Sequence, residues 1–130
     1  FHFKILRPVF MELISLHDDM SKIIRHEKDQ YESDQNNISN LESFQWTIET
    51  MLENQGVVVF QGKGNEYDAK SQRIRKVVGT NDPALDKKIA ERIFTGFRYE
   101  DKNLRPEIVT VHKYVNEELK QDEKSNVDFN

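Results

Sequence analysis

The side chains that most often carry out catalysis are few in this chain, and their spacing does not suit a reaction. The four histidines are His2, His17, His26 and His112, and none has a second histidine or a carboxylate at an established metal-ligand spacing. Cysteine is absent, which excludes a thiolate nucleophile, a disulfide framework and a cysteine-based metal site. We therefore predict that the chain holds no metal ion.

Carboxylates, glycines and serines lead to the same prediction. The pairs at residues 18–19 and 117–118 are adjacent in sequence, so on a helix their carboxylates point in different directions and suit acid–base catalysis poorly. The stretch at residues 62–64 (GKG) lacks the spacing of a phosphate-binding loop and reads as a hairpin turn. No serine lies in a nucleophile-elbow context. We predict a non-enzymatic protein with no catalytic residue and no cofactor.

Bulk composition narrows the class further. The chain has 130 residues, 36% hydrophobic and 32% charged, which is enough for one domain or two small ones. A formal charge of −4 argues against a protein that binds nucleic acid through its overall charge, although a local basic patch is compatible with it. No apolar run approaches the roughly 20 residues of a membrane-spanning helix. A first residue of Phe leads us to expect a fragment or processed chain, and we expect a soluble, reducing compartment.

Two stretches have the periodicity of amphipathic helices. The first covers residues 5–24, where Pro8 either begins the helix or kinks a longer one, and a loop is predicted over residues 27–37. Its apolar stripe consists of Leu6, Val9, Phe10, Leu13, Leu16, Met20, Ile23 and Ile24. The second begins near Ser39 or Asn40 as N-cap and ends before Gly56. Its stripe consists of Ile38, Leu41, Phe44, Ile48, Met51 and Leu52.

A pair of antiparallel helices cannot bury both stripes alone. The third surface is either the rest of this chain or a second copy of the hairpin, which would give a four-helix bundle between two chains. We predict the dimer. Its interface would comprise Leu6, Val9, Phe10, Leu13, Leu16, Leu41, Phe44 and Ile48.

From Gly56 onward the pattern changes to that of short strands. Residues 57–60 and 73–78 are predicted strands, with a turn at residues 62–65 between them. Residues 83–91 have the propensity of a capped helix, although residues 89–95 also read as a strand that enters a turn. A last strand follows Pro106 through the β-branched run at residues 108–111.

One concentration of basic residues stands out in this acidic chain. Arg73, Arg75 and Lys76 lie within one predicted strand. A single-stranded nucleic acid would need stacking aromatics beside such a strand, for which Phe94, Phe97 and Tyr99 are available. An acidic protein partner would suit the same cations equally well, and an ordinary solvated strand face looks the same.

Residues 104–111 (LRPEIVTV) form the most specific motif of the chain, and it is similar to the pattern Leu-Arg-Pro-Ala-x-Val-x-Val that closes a known family. With the motifs below, it resembles the GrpE family, the nucleotide exchange factors of DnaK-type chaperones. Further similarities are Gln55-Gly56-Val57 after the bundle, Tyr67-Asp68, Gln72, Gly96-Phe97, and Leu6-Arg7-Pro8-Val9 with Leu13 at the start of the bundle helix. The chain departs from the pattern at Ala69, where Pro is usual, at Arg73-Ile74, where Glu-Ala is usual, and at Arg7 and Met11. The long helix that precedes the bundle in the family is not in this sequence.

The resemblance implies an α+β fold, with a helical hairpin over residues 1–55 that forms a dimeric four-helix bundle. A small antiparallel all-β domain over residues 56–113 and a disordered polar tail over residues 114–130 would follow. It also favours strand over helix at residues 89–95. The implied protein is a cytoplasmic co-chaperone whose β domain opens the chaperone's nucleotide-binding cleft and releases ADP. The residues that would face the chaperone are Tyr67, Ala69, Lys102 and Val111.

Two alternatives stay open on the sequence. One is a dimeric adaptor of the same fold that binds a different protein. The other is a small nucleic-acid-binding β module on a helical hairpin, which steep salt dependence of binding would reveal. The GrpE-like interpretation implies a DnaK-type chaperone as partner, and neither nucleic acid nor a membrane.

Overall fold

Two helices precede six short strands in the computed structural model, which describes residues 2–116. The helices are α1 (His2–Lys28) and α2 (Gln35–Asn54), and a 3-10 turn covers Pro83–Leu85. The strands are β1 (Val57–Phe60), β2 (Gln72–Thr80), β3 (Ile89–Phe94), β4 (Gly96–Tyr99), β5 (Lys102–Arg105) and β6 (Glu107–Tyr114). The predicted α+β fold class is confirmed.

The first helix is longer than its apolar stripe predicts. Pro8 lies inside α1 and is not its first residue, because the helix already begins at His2. At the other end α1 continues to Lys28, with Arg25 and His26 in its last turn, where positive charge favours the helix dipole. The predicted loop at residues 27–37 is therefore wrong in extent, since only residues 29–34 separate the helices.

The start of α2 corrects the predicted N-cap. Asp34 caps the helix, and its carboxylate accepts hydrogen bonds from the backbone N–H groups of Asn36 and Asn37 at 3.0 and 3.2 Å. Ser39 and Asn40 lie inside the helix, because α2 begins more than one turn earlier than predicted, at the polar residues 35–37. The predicted end is confirmed: α2 stops at Asn54, and Gly56 adopts a φ of 88° just beyond it.

Residues 2–60 and 96–105 form one compact unit. Its helices are antiparallel, because Glu49 pairs with His17 while the earlier Glu42 pairs with the later Lys28. Its sheet has the strand order β1-β4-β5, and both pairs are antiparallel. The buried core of this unit consists of Phe10, Ile14, Ile48, Leu52, Val57 and Phe97.

Phe97 connects the sheet of this first unit to its helices. The ring is fully buried, meets the His17 ring edge-on at 5.2 Å, and lies 5.6 Å from the Arg105 guanidinium. Arg105 donates two hydrogen bonds to the Asp18 carboxylate, at 2.6 and 2.8 Å, and His17 donates to Glu49 at 2.7 Å. The two nitrogen-bearing side chains beside Phe97, Arg105 and His17, therefore each donate to a carboxylate.

Residues 61–95 and 106–116 form the second compact unit. Its sheet has the order β2-β6-β3, with β3 antiparallel to β6 but β2 parallel to it. The parallel pair departs from an all-antiparallel arrangement and requires a long connection, which residues 81–106 supply. The strand prediction at residues 73–78 is confirmed, within a longer β2.

The ambiguous stretch at residues 83–95 is a strand in its second half, as the resemblance implies. Of the helix that local propensity favours over residues 83–91, only the 3-10 turn forms, capped by Asp82, which accepts from the Ala84 N–H at 2.9 Å. Pairing of β3 with the buried β6 outweighs the local helix propensity. Strand β6 extends to Tyr114. The predicted disordered tail covers residues 114–130, and its residues 117–130 lie outside the described residues. The domain division at residue 55 stays a prediction.

A close approach at Gly96 gives a stability test. A methyl group there would clash with the Phe60 ring, whereas one at Gly79 would make ordinary contact with Val115 at 3.4 Å. We expect Gly96→Ala to lower the free energy of unfolding by about 1–3 kcal/mol through overpacking, measured by chemical denaturation. Gly79→Ala is the matched strand control and should change it by less than about 0.5 kcal/mol. Equal effects of the two substitutions would contradict the packing argument.

Candidate functional site

The second unit has an apolar groove on one side of its sheet, with a volume of about 550 Å³. Strands β2 and β6 form its floor, and the turn before β3 forms one wall. We call this the apolar groove. Its lining residues are Tyr67, Ile74, Val77, Asp86, Lys87, Val111, His112, Lys113 and Tyr114.

Two of the four predicted chaperone-facing residues meet in this groove. Tyr67 is half-buried, and its hydroxyl donates to the Gln72 carbonyl at 3.1 Å, which fixes the ring against β2. Val111 is buried on β6 and contributes its side chain to the floor. Ala69 is exposed in the loop before β2 and does not line the groove. The pair Tyr67 and Val111 is therefore the part of the predicted set that shares one surface.

Lys102 belongs to the first unit, unlike the other three. It is exposed, begins β5 and lies opposite Tyr99 in the β4–β5 hairpin. Glu100 in the connecting turn has a φ of 55°, a left-handed conformation that a tight turn requires. The hairpin thus presents the Lys102 ammonium group to solvent at the end of a short, defined turn.

The loop that carries Tyr67 is held by its neighbour Asp68. The N–H of Lys70 and the hydroxyl of Ser71 donate to the Asp68 carboxylate, at 3.0 and 2.9 Å. These hydrogen bonds, the Lys70 N–H first, lower the pKa of Asp68 below its ordinary value. The Asp68 N–H in turn donates to the side-chain oxygen of Gln72 at 2.7 Å. The loop is thereby fixed to the start of β2.

A second set of contacts joins the loop before Tyr67 to β3 and β6. The carboxylate of Glu107 is fully buried and accepts from the Gly62 N–H at 2.9 Å and from Gln72 Nε2 at 2.7 Å. It also accepts two hydrogen bonds from Arg92 Nη1, at 2.8 and 2.7 Å, while Arg92 Nη2 donates to the Gly64 carbonyl. We call Glu107, Arg92, Gln72 and Gly62 the Glu107 cluster.

Sequence reasoning missed the Glu107 cluster. Its two most distant members, Gly62 and Glu107, are 45 residues apart in sequence, and no local pattern connects the members. The one available signal was an acidic residue directly before a β-branched strand, which is an unusual position for a charge that has no partner. Gly62, Gln72 and Arg92 all donate to this carboxylate, so the cluster positions the loop. Among residues 2–116, no three potential metal ligands lie together.

The helical hairpin has an exposed apolar face, which we call the hairpin face. On α1 it is formed by Ile5, Val9, Leu16 and Ile23, which recur at helical spacing, and on α2 by Phe44 and Met51. A shallow groove of about 380 Å³ lies between the two helices there. Its lining residues are Leu6, Val9, Phe10, Leu13, Met51, Asn54 and Gln55.

The predicted dimer residues divide by burial. Val9, Leu16 and Phe44 are exposed on the hairpin face, and Leu6, Leu13 and Leu41 are half-buried. Phe10 and Ile48 are buried in the core of their own unit, so their burial needs no second copy. Ile5, Ile23 and Met51 extend the exposed face beyond the predicted set. In the described part of the chain, neither helix is long and apolar enough to cross a membrane.

Comparison with known proteins adds a family-level match. No curated protein matches the chain. The model of the GrpE family matches residues 3–113, a span that includes all but the first residue of α1, the whole of α2, and all but the last residue of β6.

The Glu107 cluster yields a prediction for Arg92. Replacing Arg92 by Ala leaves a fully buried carboxylate without its cation, and we expect a loss of about 3 kcal/mol in the free energy of unfolding. Chemical denaturation measures it. The control is Arg73→Ala, since Arg73 is exposed and forms no ion pair among the described residues. If the Arg92 variant is as stable as the control, the cation does not stabilise Glu107.

Proposed function

Because the chain belongs to the GrpE family, we propose that it is a nucleotide exchange factor that accelerates ADP release from a DnaK-type chaperone. The single observation that carries this proposal is the family match over residues 3–113. In this proposal the chain acts in the cytoplasm, by binding to the chaperone and without covalent chemistry.

The proposed mechanism is a shift between two states of the chaperone. The factor binds the open state of the nucleotide-binding cleft better than the closed state, so its binding stabilises the form from which ADP leaves. Reciprocity requires that ADP weakens the binding of the factor by the same amount, typically about 1–3 kcal/mol. The apolar groove with Tyr67 and Val111 supports this proposal, because a fixed concave apolar surface is suited to holding one state of a partner.

Lys102 and Ala69 complete the proposed contacts. Lys102 offers an exposed cation on a tight hairpin, which suits an acidic position on the partner. Ala69 lies beside Tyr67 on the loop that Asp68 holds in place. A preformed loop loses little conformational entropy when it binds, which favours affinity.

We further propose that two chains pair through the hairpin face. Contiguous exposed apolar surface of this kind is typical of association sites. Antiparallel hairpins that pair by such faces form a four-helix bundle, and the twofold symmetry places the same residues on both sides of the interface.

The exchange activity is tested by the release of a fluorescent ADP analogue from a DnaK-type chaperone. We expect about tenfold or greater acceleration by the chain, lost on Lys102→Glu because the cation becomes an anion at the contact. The matched control is Lys4→Glu, an exposed lysine of α1 with the same charge change. No acceleration by a folded, dimeric chain would instead favour an adaptor with another partner, and equal effects of both variants would remove Lys102 from the contact.

The dimer is tested by two substitutions on α2. Phe44 and Trp46 are similarly exposed, at 63% and 66%, but two residues apart on a helix point about 200° apart. We expect Phe44→Glu to shift the chain to monomer in sedimentation equilibrium, because it places a charge in the hairpin face. Trp46→Glu, on another side of α2, should leave the mass unchanged. A Phe44→Glu chain with unchanged mass would refute this interface.

A further inference from the structure

Strand β2 lies at the edge of its sheet and has an unpaired side. It pairs with β6 alone in the order β2-β6-β3, and no other strand pairs with it among residues 2–116. Residues 73–77 are all exposed. An edge strand presents a row of N–H and C=O groups that can pair with another chain, so β2 offers a backbone template as well as side chains.

The two sides of β2 have different chemistry. Residues that pair in register point to the same side of a sheet, and Arg73 and Lys76 pair with Ile108 and Thr110. Ile74 and Val77 pair instead with Val109 and Val111, on the side of the apolar groove. The register shift between Ile74 and Lys76 accommodates Arg75 as an extra residue and keeps this division intact. One side of the strand is therefore basic and the other apolar.

The cations of β2 have no acidic partner within the described chain. Arg73 and Lys76 form no ion pair among residues 2–116, and the Arg75 guanidinium lies 5.8 Å from the Phe94 ring centre. These charges concentrate on one strand of a chain whose formal charge is −4. Two copies that paired through β2 would bring like charges together, which opposes self-association. An acidic strand would instead gain charge pairing and backbone hydrogen bonds together.

We propose that β2 binds an extended acidic peptide segment, which adds to the sheet as a fourth strand. The segment has alternating residues: acidic side chains beside Arg73 and Lys76, and apolar side chains beside Ile74 and Val77. A polypeptide fits better than a nucleic acid, because the free edge of β2 offers backbone N–H and C=O groups that another strand matches in register. This inference does not require the exchange activity, but its apolar contacts at Ile74 and Val77 lie in the apolar groove that the proposed function assigns to the chaperone.

The test uses the full chain and a fluorescent synthetic peptide of about eight residues with alternating valine and glutamate. Fluorescence anisotropy should show saturable binding, weakened about tenfold in the Arg73→Glu, Lys76→Glu double variant. The Lys4→Glu, Lys63→Glu double variant replaces two exposed lysines and changes the net charge by the same amount, so it is the control and should stay within about twofold. Binding unaffected by the double variant would overturn the proposal.

Two readouts on the unmodified chain separate strand addition from simple charge attraction. A peptide of identical composition, with its valines and glutamates in two blocks, should bind about tenfold more weakly, because it cannot match both sides of β2 at once. Hydrogen–deuterium exchange should show new protection of backbone amides within residues 73–77. Equal affinity for the block peptide, absence of this protection, or comparable binding of an oligothymidylate would each overturn the proposal.

Discussion

The second unit depends on the need to satisfy one buried charge. Glu107 has no solvent contact, so its carboxylate must obtain all its hydrogen bonds from the protein, and it takes them from Gly62, Gln72 and Arg92. Leaving such a group without donors would cost several kcal/mol. The loop before β2 and the strand β3 therefore cannot move independently of β6. The apolar groove depends on this constraint, since Tyr67 is in turn bound to the Gln72 carbonyl.

The first unit uses the same principle with a less deeply buried carboxylate, Asp18, and a larger apolar core. Phe97 supplies the buried area, and the Asp18–Arg105 pair closes over one side of it with two parallel hydrogen bonds. A bidentate pair of this kind has a preferred direction as well as a distance, and it joins the end of β5 to α1. In each unit an arginine–carboxylate pair, Arg92–Glu107 or Arg105–Asp18, joins elements that also pack together through apolar side chains.

Features with a local cause could be predicted from the sequence. The α1 stripe, the stop at Gly56 and strands β1 and β2 each follow from spacing or backbone preference over a few residues. The N-cap Asp34 was missed because residues 35–37, which precede the first apolar residue Ile38, are all polar and have the composition of a loop. Local pattern left residues 83–91 open between helix and strand, and pairing with β6, a contact distant in sequence, decides for the strand at residues 89–94. The Glu107 cluster and the parallel β2–β6 pair also join residues that are far apart in sequence, and no periodic pattern in the sequence predicts such contacts.

The order in which the two units take their residues has a consequence for biosynthesis. The backbone passes between units at residues 60/61, 95/96 and 105/106, so each unit is assembled from two separate stretches of chain. A ribosome that has released only the first 95 residues has supplied β1 without its partner β4, and the first core without Phe97. The second unit at that point lacks the central strand of its sheet. Neither unit can therefore complete its folding during early synthesis, and both cores close only when the last strands emerge, a late and non-local step of the kind that slows folding.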